Sequence, residues 1–162
     1  MNKKDAAYKG DYKDGQRHGK GKLFNKRGQL EYEGEFVNGY CHGKGCFYYS
    51  NGILCYEGDV RNGKPNGYGK IYRENGTLSY EGQVKNSRMS GKGTSFSEEG
   101  IPLYKGEWKD NKQHGNGKGY YNNGKLAYDG QWELGEFHGR GTLYTENGKS
   151  WKGKFKAGKP LV

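Results

Sequence analysis

Apolar residues along this chain come in short, alternating runs. In Tyr8-Lys9-Gly10-Asp11-Tyr12, Tyr32-Glu33-Gly34-Glu35-Phe36 and Tyr104-Lys105-Gly106-Glu107-Trp108, rings close a Tyr-x-Gly-x-aromatic pattern with polar or charged residues between them. A period of two is that of a strand with one face turned to a core. Turn signals follow at once in Asp14-Gly15, Asn38-Gly39 and Asn62-Gly63, pairs that tolerate the positive φ a tight hairpin needs at both central residues. A second strand then runs through Gly19, Gly21 and Leu23-Phe24 and its equivalents, closed by turns such as Asn51-Gly52, Asn75-Gly76 or Asn147-Gly148. Each unit therefore reads as one β-hairpin, and no segment has helical periodicity.

The unit repeats. Tyr8, Tyr32, Tyr56, Tyr80, Tyr104 and Tyr128 recur every 24 residues and Trp151 follows after 23, which makes six tandem repeats and a partial seventh. With each Tyr as position zero, glycine returns at plus 2, plus 7, plus 11, plus 13 and plus 20, places that hold 30 of the 31 glycines. The spacing predicts an all-β chain of tandem β-hairpins. Its boundaries are a short extension at 1–7, units at 8–31, 32–55, 56–79, 80–103, 104–127 and 128–150, a partial unit at 151–158 and a tail at 159–162. A two- or four-residue loop centred between plus 6 and plus 7 predicts a register in which partner positions sum to 13. Plus 2 then faces plus 11, and each Tyr faces the glycine at plus 13, where a missing Cβ lets the ring lie flat on the neighbouring strand. One face carries Tyr at zero, the aromatic or Val at plus 4 and Leu at plus 22; the other is polar apart from a ring at plus 16.

Composition excludes a large core. Leu, Ile, Val and Phe supply 22 of 162 residues, below the roughly one-fifth at which disorder becomes the default. Against disorder stand 24 aromatic residues, 15 of them tyrosine, because rings bury the most area per residue. No apolar run exceeds four residues, so neither a membrane span nor a signal-peptide core is expected, and a cytoplasmic protein is. Cys41, Cys46 and Cys55 lack C-x-x-C spacing and suggest reduced thiols rather than a disulfide framework or zinc site.

The segment Tyr32-Glu33-Gly34-Glu35-Phe36-Val37-Asn38-Gly39-Tyr40-Cys41-His42-Gly43-Lys44-Gly45 resembles the MORN repeat (membrane occupation and recognition nexus), and the resemblance covers residues 8–158. It implies an elongated, twisted, single-layer antiparallel sheet. It also implies company: such arrays sit beside kinase or methyltransferase domains, or act alone as scaffolds at membranes, cytoskeleton and cilia. Ser87 and Ser90 replace the family's glycine and His in repeat 4, and Asn111 its glycine in repeat 5, so looser turns are expected there, with repeat 4 as the weak point.

Candidate chemistry is sparse. His18, His42, His114 and His138 all occupy plus 10, where the register pairs them with plus 3, as in His18 with Asp11, His42 with Glu35 and His114 with Glu107. Equivalent histidines two strands apart lie roughly 10 Å from each other, too far to share a metal. Ser90-Gly91-Lys92-Gly93-Thr94 lacks the earlier glycine of a phosphate loop, because Asn86 stands there. Glu33, Glu57 and Glu81 at plus 1 form a charge ladder beside Lys44 and Lys92 at plus 12. No catalytic residue, metal, cofactor or small-molecule substrate is expected, and no enzyme.

Charge separates the ends from the middle. Residues 1–31 hold nine basic and four acidic groups and residues 151–162 four basic and none acidic, so nine of the ten net positive charges lie at the ends. Lys20, Lys22, Lys26 and Arg27 cluster in repeat 1, and Lys152, Lys154, Lys156 and Lys159 in the last unit. Alternating lysines protect an exposed sheet edge against aggregation, and they also attract anionic lipid. A nucleic-acid partner is not expected, because no basic track runs through the centre.

Two functions follow as expectations. The first is a scaffold that holds a protein segment, an extended peptide or a helix, on an apolar stripe of Tyr8, Tyr12, Tyr32, Phe36, Tyr56, Tyr80, Tyr104, Trp108, Tyr128, Trp132, Trp151 and Phe155, since one sheet cannot cover both faces. The second is peripheral binding to anionic membranes through the basic ends. Homo-dimerisation and association with cytoskeleton are compatible with either.

Overall fold

The computed structural model describes residues 7–161. Residues 1–6 of the expected N-terminal extension, and Val162 of the tail, lie outside the described residues. The chain divides into two compact units, 1–77 and 78–162. In the first, Ala7–Lys13 (β1), Gln16–Phe24 (β2), Leu30–Val37 (β3), Tyr40–Tyr48 (β4), Leu54–Arg61 (β5) and Lys64–Tyr72 (β6) pair antiparallel in chain order. In the second, Leu78–Lys85 (β7), Arg88–Phe96 (β8), Pro102–Lys109 (β9), Lys112–Tyr120 (β10), Leu126–Glu133 (β11), Glu136–Tyr144 (β12), Ser150–Lys156 (β13) and Lys159–Leu161 (β14) do the same. Ala7 of the expected extension thus begins a strand, and Lys159–Leu161 of the expected tail form one. The fold is all-β and antiparallel, built from consecutive hairpins.

The hairpin turns have the predicted chemistry. Asp14 and Gly15 (φ 51° and 74°), Asn38 and Gly39 (49° and 85°) and their equivalents are left-handed at both central positions. Repeats 4 and 5 keep this shape without glycine: Ser87 takes φ 65° and Asn111 φ 68°. The departures expected to loosen these turns are therefore absorbed as left-handed backbone, which costs an L-residue about 1–2 kcal/mol and Asn less.

The register is where the structure corrects the sequence. Beside the turn, partners do sum to 13, as in Tyr12 with Arg17, Phe36 with Cys41 and Trp132 with Phe137. Farther from the turn they sum to 15: Gly10 faces Gly21, and Tyr8, Tyr32 and Tyr128 face Leu23, Phe47 and Leu143 rather than glycine. Positions plus 11 and plus 12 form a two-residue bulge on the second strand of the first six hairpins. Gly19, Gly43, Gly115 and Gly139 at plus 11 have φ between 55° and 67°, a conformation open to glycine at little cost. The plus 3 side chain closes the bulge by accepting from the plus 12 N–H, as in Lys92 N–H to Gln83 Oε1 (2.7 Å), Tyr68 N–H to Asp59 Oδ2 (2.8 Å) and Arg140 N–H to Gln131 Oε1 (2.8 Å). Because two residues are inserted rather than one, no side chain changes face.

A second, one-residue bulge separates hairpins within each unit, for example between Leu23–Tyr32 and Phe24–Leu30, where Glu31 is the extra residue. The β12–β13 pairing runs through without it, from Gly139–Phe155 to Tyr144–Ser150. This accounts for the 23-residue last spacing: the missing residue is the bulge.

Candidate interaction surfaces

The ring of each plus-zero Tyr crosses its own hairpin diagonally. Tyr32 lies over Gly45, where an added Cβ would stand 2.5 Å from Cε2, and its hydroxyl donates to Glu35 O (3.0 Å). Tyr56, Tyr80, Tyr104 and Tyr128 repeat this with Asp59 O, Gln83 O, Glu107 O and Gln131 O at 2.7–3.0 Å. The plus-13 glycines thus serve the purpose the sequence suggested, through a diagonal contact instead of a facing one.

Neighbouring rings then cover one another edge to face. Phe36 meets Tyr8 and Tyr32 at 5.0 and 5.2 Å, Trp108 meets Tyr80 and Tyr104 at 5.4 and 5.1 Å, and Trp132 meets Tyr104 and Tyr128 at 5.0 and 5.3 Å. Such contacts add about 0.5–1.5 kcal/mol each beyond area burial. The indoles are tied further, Trp108 Nε1–H to Gly93 O (3.1 Å) and Trp132 Nε1–H to Gly117 O (3.0 Å).

Burial therefore corrects the expectation of an open aromatic stripe. Tyr32, Phe36, Tyr56, Tyr80, Tyr104, Trp108, Tyr128, Trp132 and Phe155 are buried and form most of the core. The rings that alternate along this face lie close enough to pack on one another, so neighbouring hairpins cover them in place of a partner. Desolvation accordingly holds the Tyr32, Tyr56 and Tyr104 hydroxyls far above the ordinary tyrosine range, with Glu35, Asp59 and Glu107 nearby adding to the rise. Burial also pushes the Cys41 thiol up to about 11, which leaves it unreactive at neutral pH.

The stripe stays open where no preceding hairpin covers it. Tyr8 is half-buried and Tyr12 is 63% exposed, against 1–9% for Phe36, Trp108 and Trp132 at the same position. Around Tyr8 and Tyr12 lies a groove of about 700 Å³ whose wall includes Gln16, Arg17, Asn38 and Tyr40. Tyr40 is 62% exposed, and the Arg17 guanidinium stands 5.3 Å from the Tyr8 ring centroid. Neither residue was among the sequence candidates, because plus 8 and plus 9 carry no repeated residue type. Trp151, at the other end of the series, is 39% exposed.

The polar face carries the ion pairs, within hairpins and between them. Glu33 pairs with Lys22 (3.0 Å), Glu57 with Lys70 (3.4 Å) and Asp129 with Lys118 (2.9 Å), so the plus 1 carboxylates meet lysines at plus 14. Lys44 pairs with Asp59 instead, and this ammonium, with the Tyr68 N–H, holds the Asp59 carboxyl below its usual range. The histidine register stands as expected for Glu35–His42 and Glu107–His114. The carboxylates, however, turn to the bulge: Glu35 accepts from Lys44 N–H, Glu107 from Asn116 N–H and Asp11 from Lys20 N–H.

Lys20, Lys22, Lys26 and Arg27 are all exposed, with Lys22 engaged by Glu33. At the other end, Lys152, Lys154 and Lys156 alternate along β13 and so share one face. Arg140 sits opposite Lys154, and Lys159 opposite Lys156. Among the described residues none of these five cations has an ion-pair partner within 4.0 Å.

No curated protein matches this chain. The family model of the MORN repeat matches it six times, at residues 8–28, 32–53, 56–78, 80–98, 104–125 and 128–150. These spans begin on the plus-zero Tyr whose ring organises every hairpin and together take in most of the sequence: the chain belongs to the MORN-repeat family.

Proposed function

We propose that this protein is a non-enzymatic scaffold that holds a segment of a protein partner at the uncovered end of its aromatic face. The observation that carries this reading is the groove around Tyr8 and Tyr12, where the rings that close the core elsewhere are offered to solvent beside Tyr40 and Arg17. Exposed Tyr beside a half-buried Arg in a groove are residue types that dominate binding energy at interfaces. The buried part of the stripe supports the reading indirectly, as a stiff base that keeps those anchors in place. A photo-crosslinking residue at position 40 of the full chain identifies the partner, and direct binding is then measured with Tyr12→Ser/Tyr40→Ser. The double variant is expected to lose at least tenfold in affinity; unchanged affinity refutes the groove.

Peripheral attachment to anionic phospholipid is a second reading, favoured by the five cofacial cations Arg140, Lys152, Lys154, Lys156 and Lys159. Each basic residue near an acidic membrane contributes about 1 kcal/mol before screening. Flotation with phosphatidylserine vesicles at low salt should be lost when the four lysines are changed to Gln. Flotation that survives the change, or that also occurs with neutral vesicles, refutes it.

A further inference from the structure

Strand β1 has a near copy of itself inside the second unit. Tyr8-Lys9-Gly10-Asp11-Tyr12-Lys13 matches Tyr104-Lys105-Gly106-Glu107-Trp108-Lys109 of β9 in every residue type but two, and those two are conservative. The inner strand is covered along its N-terminal edge by β8, with Gly91 opposite Trp108, Lys92 opposite Glu107, Gly93 opposite Gly106, Thr94 opposite Lys105 and Ser95 opposite Tyr104. Tyr104 is then 1% exposed and Trp108 6%. The corresponding edge of β1 pairs with no strand among the described residues, and Tyr12 is left open.

We propose that the outer edge of β1 takes up an extended segment of the partner protein as an added antiparallel strand, in the register β8 holds on β9. This rests on the protein-partner reading above and specifies how that partner binds. Main-chain hydrogen bonds supply the pairing, as in other strand-addition modes, and side chains supply the choice.

The charge pattern on β1 says what the segment carries. On the polar face, Asp11 corresponds to Glu107 and takes a basic residue, as Glu107 faces Lys92 and as Asp59 binds Lys44. Lys9 faces Lys22 across the hairpin, as Lys105 faces Lys118. Lys22 and Lys118 are drawn to Glu33 and Asp129, and the residue on the other side of Lys105 is the uncharged Thr94. A hydroxyl or carboxylate therefore fits opposite Lys9, two residues after the basic one, and a like charge is excluded. On the aromatic face, the residue opposite Tyr8 corresponds to Leu23, Phe47 and Leu143 on Tyr32, Tyr56 and Trp151 and to Ser95 and Gly119 on Tyr104 and Tyr128, and is apolar or small.

Strands β2 to β5 and β8 to β13 of a second copy are paired on both edges, and β14 is three residues long with Lys159 at its start. The open edge that a second copy does offer is its own β1, where Lys9 would meet Asp11, so a β1–β1 dimer is the rival occupant that the test separates from the partner segment.

The test uses the full chain, isotope-labelled, and an end-blocked synthetic peptide with the sequence of residues 90–96, Ser-Gly-Lys-Gly-Thr-Ser-Phe, together with its T94D and T94K forms. Amide shifts confined to β1 and β2 are expected. The T94D peptide should bind at least threefold more tightly than T94K, and Lys9→Glu, a change at an exposed side chain, should reverse that order. Shifts elsewhere, no binding at millimolar peptide, or an order indifferent to Lys9→Glu overturn the added-strand proposal. So does a dimer whose β1 amides are protected by the second copy. If the peptide fails while partner binding still depends on Tyr12 and Tyr40, the strand mode falls and the groove stands.

Discussion

Gly45→Ala tests the central packing argument. A Cβ at Gly45 would come inside contact distance of Tyr32 Oη and Cζ and to 2.5 Å from Cε2, where carbon atoms normally stop at about 3.5–4.0 Å. The ring has no free direction to retreat, because Phe36 and Phe47 hold it at 5.2 and 4.8 Å between centroids. Overpacking of this kind costs about 1–3 kcal/mol, and pulling the hydroxyl from Glu35 O adds about 1 kcal/mol. A loss of about 3 kcal/mol is expected. Gly28→Ala is the control: no atom lies within 4 Å of its Cβ and only the φ of 79° is strained, so about 1 kcal/mol is expected. Equilibrium urea unfolding followed by far-UV circular dichroism reads both. The cycle with Tyr32→Leu reads the cause, since a smaller side chain gives the new methyl room and the two changes together should cost at least 1 kcal/mol less than their sum. A Gly45→Ala loss no larger than that of Gly28→Ala would falsify the claim that the plus-13 glycines exist to admit the rings.

Three further outcomes follow from the same structure. Ser87→Gly removes left-handed strain from the repeat 4 turn and Leu134→Asn does so at φ 52°, so each should raise stability by about 0.5–1 kcal/mol in urea; destabilisation by either would contradict the turn assignment. Alkaline pH should unfold the chain. The tyrosines of the unfolded chain ionise near 10.0, while burial raises those of Tyr32, Tyr56, Tyr104 and Tyr128 in the folded state, so stability is full below pH 10 and falls above it. Each such residue contributes about 1.4 kcal/mol per pH unit to the slope, and Tyr56→Phe should remove one such increment; a slope unchanged by Tyr56→Phe rejects it as a linked group. Truncating the indole in Trp108→Leu forfeits the Gly93 O bond and two ring contacts, and about 2–4 kcal/mol of stability with them, visible as a lower urea midpoint.

Much of the architecture was legible because a repeat states the same physics several times. One Asn-Gly pair is a weak sign, whereas Asp14-Gly15, Asn38-Gly39 and Asn62-Gly63 at a fixed interval after a Tyr leave little but a hairpin. The bulge was not legible, since a local two-residue insertion preserves every face and so leaves the alternation of apolar and polar positions intact. Its trace was present in the paired glycines of plus 11 and plus 13, read as one packing device when they are two. Gly43 is needed for φ 67° and Gly45 for the ring of Tyr32. The insertion brings Lys70 at plus 14 opposite Glu57 and Cys46 opposite Glu33, and Glu33 pairs instead with Lys22 of the preceding hairpin.

The burial of the rings changes where a MORN array of this kind can recognise anything. A plus 4 ring is covered by the Tyr of its own hairpin and that of the preceding one, as Trp108 is by Tyr104 and Tyr80, whereas Tyr12 meets Tyr8 and stays exposed. The polar face behaves likewise: Lys22, Lys70 and Lys118 are each matched by a carboxylate, and unmatched cations collect at Arg140, Lys154, Lys156 and Lys159. Pairing between neighbouring hairpins thus covers rings and matches charges inside each unit, and leaves exposed rings along with Lys20, Lys26 and Arg27 in the first repeat and further cations in the last. On the proposed reading, the binding determinants are Tyr12 with Arg17 and Tyr40 at one end and the β13 cations at the other. Exchanging repeat 5 for repeat 2 should alter stability and leave recognition intact, whereas changes at Tyr12 or Lys154 should do the reverse.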